Sequence, residues 1–201
     1  ALAVSGLLVP RIGGPSVHPY QPHGLWKEIS HLGSTPATKQ VFVQDHGEKL
    51  YRRSLYTIVK RTSPHPAMAA FDAPNREMCV VDRSKTNTPL QALVTLNDPQ
   101  FAEAARVFAS SILRDETAND DRSRIERAFE RISSRPPESS EIEMIAQLLE
   151  NERARFQKSP IDAGRVVAVG ESPVAHDLDL VEQAAWSQIA TLLLNLSEVL
   201  T

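Results

Sequence analysis

The sequence predicts an all-α protein, an irregular helical bundle with long, ordered Pro/Gly-rich loops in its N-terminal half. Three observations lead there. Apolar residues recur at helical spacing through most of residues 88–201. Prolines stand directly behind capping residues, as in "NTPLQ" and "NDPQF", where they start helices at no cost in hydrogen bonds. The one short strand candidate, Val41–Val43, has no partner strand in the sequence.

The elements follow in chain order. Residues 1–9, "ALAVSGLLV", read as the last turns of a helix that ends before Pro10 and is cut from a longer polypeptide. "RIGGPSVHPYQPHG" holds too many Gly and Pro for a helix or strand, and Tyr20 and Trp26 argue that it is ordered. A short helix at Leu25–Ile29 and a polar turn through Pro36 come next. In "GEKLYRRSLYTIVKRT", Tyr51, Leu55, Ile58 and Val59 fall at i, i+4, i+7 and i+8, which predicts one face of a helix. Thr88 and Gln91 have capping-box spacing around Pro89, and Asp98-Pro99 starts a helix running to about Leu113. Its apolar face is Phe101, Ala104, Ala105, Phe108 and Ile112.

Three more amphipathic helices are expected. One carries Ile125, Ala128, Phe129 and Ile132. The second carries Ile142, Ile145, Ala146, Leu149 and Phe156, begun by Ser140 with Glu143. The third opens at Asp179 with Glu182 and carries Ala185, Ile189, Leu192, Leu193 and Leu196. Between the last two, "IDAGRVVAVG" reads as a short helix closed by Gly170.

At 201 residues, with 41% hydrophobic and 23% charged residues, the chain reads as one globular domain, 1–201, with a loop-rich part (1–87) and a helical bundle (88–201). Aromatics are only 5%, so its core should be mostly Leu, Ile, Val and Ala. A net charge of −3 gives no general attraction to nucleic acid, and no apolar run is long enough to span a membrane. The charge is uneven. Residues 1–66 hold eight Lys/Arg against three acids, a balance of +5 that leaves −8 in the remainder. The basic part is either a solvated face or the surface that meets an acidic partner or ligand.

Motifs for known chemistry are weak. His18, His23 and His46 lack HxxxH or HExxH spacing, so no metal site is expected. Ser16 in "GGPSV" lacks the GxSxG elbow, and "GGPS" lacks the lysine of a phosphate loop. No CxxCH occurs, so this segment cannot attach a c-type haem covalently, and no motif in it calls for another cofactor. Cys79, the single cysteine, sits in "EMCVVD" and is expected to be buried and inert. The densest polar region lies between Tyr51 and Gln100. Arg52, Arg53, Tyr56, Asp72, Arg76, Arg83 and Asn97 are its ligand-binding candidates, and no catalytic residue is assigned. Their guanidinium and carboxylate groups either fasten irregular backbone or line a pocket for an anionic or hydroxyl-rich ligand.

Five segments taken together, "IGGPSVHPYQPHGLW", "QDHGEKLYRRSLYTIVKRT", "FDAPNREMC", "TNTPLQALVTLNDPQFAEAAR" and "VGESP…AAWSQIATLLLNLSEVLT", resemble the planctomycete-specific C-terminal domain, of unknown function, of planctomycete cytochrome-c-domain proteins. The resemblance implies the C-terminal part of a larger domain, in a secreted, periplasmic or cell-envelope polypeptide. It places haem c only in another domain of that polypeptide, and it supplies no catalytic residue. Its partners would be the other domains of the same polypeptide, an acidic protein or a glycan. Two functions are then open. One is a non-catalytic scaffold or binding module beside a cytochrome-c-like domain. The other is the substrate-binding part of a haem-linked redox enzyme acting on carbohydrate. Whether the protein is an enzyme is undecided by the residues.

Overall fold

Proline and its capping neighbours set where the backbone turns helical in the computed structural model, which describes residues 1–28 and 41–200. The described residues form α1 (Leu2–Ser5), α2 (Leu25–Glu28), α3 (Pro66–Ala70), α4 (Pro89–Asn97), α5 (Pro99–Leu113), α6 (Asp121–Ser133), α7 (Ser139–Lys158), α8 (Pro160–Val167), α9 (Leu180–Leu194) and α10 (Ser197–Leu200). No strand is present among them, and the fold is all-α. Contacts divide the chain into two units, Leu8–Gln91 and Ala1–Leu7 with Ala92–Thr201.

The second of these units is a helical bundle. α9 packs against α5, α7 and α8, while α1 lies on α5 and α6 lies on α7. Apolar residues occupy all sides of α9, and nine of its fifteen residues are buried, Trp186, Ile189 and Leu193 among them. Alanines at 104, 105 and 109 in α5 and at 184 and 185 in α9 are buried, which lets two helix backbones approach closely. Phe108, Ile112, Ile125, Phe129, Ile145, Leu149 and Phe156 complete the core. Full burial of each large apolar side chain contributes about 1.5–3 kcal/mol.

Most predicted caps are made. The Thr88 N–H donates to Gln91 Oε1 (3.0 Å), and the Gln91 N–H donates to Thr88 Oγ1 (3.4 Å). Asp98 accepts from the Gln100 N–H, and Asp179 accepts from the Glu182 N–H. α7 differs from expectation. Its capping box is Glu138 with Glu141, two residues ahead of the Ser140 and Glu143 pair. The reason is electrostatic, because Glu141 accepts the Glu138 N–H at 2.7 Å while also pairing with Arg135. α8 ends at Val167, ahead of Gly170, and α1 ends at Ser5, capped by Gly6, whose φ of 80° stops the helix well before Pro10.

The unit Leu8–Gln91 is loop-rich. The helix predicted across residues 47–62 is absent. In its place are two 3₁₀ turns, Gly47–Tyr51 and Ser54–Tyr56, separated by extended backbone at Arg52 and Arg53. Long-range bonds take the backbone groups a helix would use. The Val9 N–H donates to the Tyr51 carbonyl (2.9 Å), Val17 N–H to Tyr56 (2.8 Å), and Ile58 N–H to Val17 (2.9 Å). Leu55, expected on the apolar face, is exposed. Val41–Val43 is extended in alternation only, with Val41 and Val43 outward and Phe42 against the rings of His18 and Trp26. The helix expected at Leu25–Ile29 is seen to Glu28, and the turn expected through Pro36 lies outside the described residues. Cys79 is exposed, against expectation, because Met78, Val80 and Val81 around it also face solvent on irregular backbone.

Candidate functional site

Arg52 is only 4% exposed, and it organises the Gly/Pro-rich loop. Its Nη2 donates to the carbonyls of Arg11 (2.8 Å) and Gly13 (2.7 Å). The guanidinium carbon lies 3.8 Å from the centre of the Tyr56 ring, and the Tyr56 hydroxyl accepts the Gly13 N–H at 2.8 Å. A Cβ on Gly14, where φ is 91°, would stand 3.4 Å from Arg52 Nη1. Carbonyls and a π face replace a carboxylate here, while Nε and Nη1 are buried without hydrogen-bond partners. Arg53 beside it is exposed, and its carbonyl accepts the Tyr56 N–H.

A second cluster orders the same loop further on. The His18 N–H donates to Asp45 Oδ2 at 2.8 Å, the His18 ring Nδ1 lies 3.4 Å from the same oxygen, and Lys49 Nζ donates to Oδ1 at 3.0 Å. Burial pushes the Asp45 carboxyl up, but the His18 amide and Lys49 outweigh it, so the group sits below its usual range. The Trp26 ring meets Phe42 edge-on at 5.3 Å and carries Lys60 Nζ 4.5 Å from its centre. Among the described residues no three His, Cys, Asp or Glu side chains are grouped to hold a metal ion.

The third feature is a cleft of about 170 Å³ between residues 58–59 and the stretch from Pro64 to Arg76. Ile58, Val59, Met68 and Ala69 make apolar walls, with His65, Asn75 and Arg76 as its polar members. His65 Nε2 lies 2.7 Å from the Tyr20 carbonyl, so that nitrogen carries the proton and donates. Two side-chain-bearing residues adopt left-handed backbone at the cleft and beside it, Asp72 (φ 57°) and Arg76 (φ 61°). The Asp72 carboxylate is taken by Thr86, accepting its N–H (2.9 Å) and hydroxyl (2.7 Å). Those bonds, with a smaller contribution from Arg83, hold its pKa below the usual range. Asn75 Oδ1 accepts the Glu77 N–H, which closes a tight turn.

Of the candidates read from the sequence, Arg52 and Tyr56 therefore stack on each other. Arg76 lines the cleft, Asp72 and Arg83 belong to the loop closure at Thr86, and Arg53 is exposed. Asn97 lies in the bundle unit, where its Nδ2 donates to the Leu93 carbonyl.

Sequence reasoning missed the most heavily bonded arginines, all in the bundle. Arg106 is buried, donating from Nε to Val169 O (3.2 Å), from Nη1 to Pro173 O (3.2 Å), and from Nη2 to Ser172 O (2.8 Å) and the Ser172 hydroxyl. Glu103, fully buried beside it, accepts the Ser172 N–H at 2.6 Å. Arg153 bridges Asp121, Glu150 and Glu182, and Arg135 bridges Glu141 and Glu198. Arg135 and the Glu138 amide pull the Glu141 carboxyl down to about 2. No motif marks these residues. For Arg106 and Arg153 the signal was their place among the apolar residues of α5 and α7, where a charged residue needs partners, whereas Arg135 stands in the connection between α6 and α7 and carried no such signal.

The sequence profile of the family described as PSD1, a protein of unknown function (DUF1553), matches residues 1–149 of the 201. The chain belongs to that family. The match spans the whole loop-rich unit and stops within α7, so the "VGESP" and "AAWSQ" segments lie beyond it. No curated protein and no solved structure matches the chain.

Proposed function

We propose that the chain is a non-catalytic binding module of a multidomain envelope or secreted protein of planctomycete type, set beside a cytochrome-c-like domain. One observation carries this reading: the buried arginines are committed to backbone and carboxylates. Arg52 holds the carbonyls of residues 11 and 13, and Arg106 holds those of 169, 172 and 173. Guanidinium groups used this way fasten irregular loops, and the two Arg52 nitrogens without hydrogen-bond partners, Nε and Nη1, are buried away from solvent. The haem-bearing neighbour is supported by the motif resemblance, and the basic balance of +5 over residues 8–91 suits an acidic partner surface. In the full-length polypeptide, Arg52→Ala should lower the melting temperature while any turnover at the haem domain persists. An unchanged melt with turnover abolished would overturn the reading.

The second reading, a substrate-binding part of a haem-linked redox enzyme acting on carbohydrate, draws on the cleft beside Asn75 and Arg76. Its apolar walls favour it less, because a hydroxyl-rich sugar needs polar partners around its edge.

A further inference from the structure

We propose that the cleft between residues 58–59 and α3 binds a benzene-sized apolar group that carries a carboxylate. The inference deepens the binding role given above and rests on it.

Size and wall chemistry define the apolar part. A cavity of about 150 Å³ lined by aliphatic side chains is known to accept benzene, and this cleft measures about 170 Å³. Ile58, Val59 and Met68 supply aliphatic walls on one side, while Ala69, Pro74, Asn75 and Arg76 are exposed and leave the other side open to water. The charged part follows from Arg76. Among the described residues its guanidinium makes no ion pair and no side-chain hydrogen bond, although it lines the cleft. Asp72, close by in sequence, commits its Oδ2 to Thr86. Asn75 has its oxygen occupied by the Glu77 N–H, which orients the amide and leaves its Nδ2 as a donor. Arg76 and Asn75, adjacent in sequence and both lining the cleft, thus offer a planar guanidinium and an amide donor, the groups that recognise a carboxylate.

The backbone adds a separate observation. Arginine is disfavoured at a φ of 61°, and such strained residues cluster at ligand clamps. The turn that imposes this conformation is held by Asp72 on one side and Asn75 on the other. Arg76 is thus presented by a built turn at the edge of an apolar pocket.

The test uses the full chain, isotopically labelled, titrated with phenylacetate and separately with phenylacetamide. Amide shifts of residues 58, 69, 73 and 76 report on the cleft. Phenylacetate should saturate these shifts with a Kd of about 1 mM, in keeping with so few atoms. Phenylacetamide should bind roughly tenfold more weakly, having lost the charge-assisted bonds. Arg76→Gln keeps the same backbone demand and should reduce phenylacetate to the level of the amide. Ala69→Phe should abolish both by filling the cleft, with shifts elsewhere unchanged. An N-acetylated dipeptide ending in phenylalanine separates the sources of the carboxylate. Tighter binding than phenylacetate assigns it to a polypeptide C-terminus, and equal or weaker binding to a free small acid. Equal affinity for phenylacetate and phenylacetamide, or shifts indifferent to Ala69→Phe, would overturn the proposal. The melting and turnover measurements on Arg52→Ala do not depend on this cleft, so the two readings fail separately.

Discussion

Arg52 and Arg106 show how much a single buried guanidinium can decide. Each lies almost wholly out of water, and each is compensated mainly by main-chain carbonyls. Carbonyl dipoles are weaker partners than a carboxylate, but they come from the loop itself, so charge compensation and loop ordering are one event. Removing Arg52 should therefore unfix residues 11–14 and cost about 2–4 kcal/mol, from two charge-assisted hydrogen bonds and the Tyr56 stack. Arg52→Lys should recover little, since an ammonium lacks the planar fork and the π stacking. Denaturant unfolding of the two variants checks this. A lysine variant as stable as wild type would show that charge alone suffices.

At the scale of elements, the loop from Val169 to Pro173 depends on Gly170. Its φ is 91°, and a Cβ there would lie 2.2 Å from the buried Glu103 side chain. Glu103 cannot swing away without releasing the Ser172 N–H. Gly170→Ala should destabilise by about 2–4 kcal/mol, from left-handed strain together with overpacking. Glu103→Ala combined with it should be less harmful than the sum of the single changes, which thermal melts of the four proteins can establish. α5 was legible in the sequence because apolar period, proline and capping residue agree at Asp98-Pro99, α9 because Asp179 caps a run rich in apolar residues, and α6 from its apolar period alone. Residues 47–62 misled because Tyr51, Leu55 and Ile58 have helical spacing, while the backbone of Tyr51, Tyr56 and Ile58 bonds to Val9 and Val17. Period records side-chain pattern only, and such distant pairings leave no trace in it. The cleft was half legible. Arg76 and Asp72 stand out as polar residues in "FDAPNRE", but their left-handed backbone and the apolar walls from residues 58–69 appear only after folding.

For the molecule as a whole, the carboxylates set the response to acid. Asp45, Asp72, Asp115, Asp120, Asp121, Asp177 and Glu141 all have pKa values lowered by the folded state, chiefly through hydrogen bonds from Arg, Thr, Ser or backbone N–H. A lowered value means that the unfolded chain binds more protons once the pH falls below its ordinary range. The stability they confer is thus complete above that range and lost as the pH descends through the folded values. For Glu141 the window runs from its usual 4.5 down to about 2. Its loss frees Arg135 and the Glu138 amide together, which loosens the start of α7 and the contact with Glu198 near the C-terminus. Melting temperature should fall steadily from about pH 5 to pH 2 in the native chain. Glu141→Gln should melt lower at neutral pH and show a shallower decline on acidification, because the group that titrates has been removed. Parallel slopes for the two proteins would mean that the Arg135 bridge contributes nothing to acid sensitivity, leaving it to the aspartates.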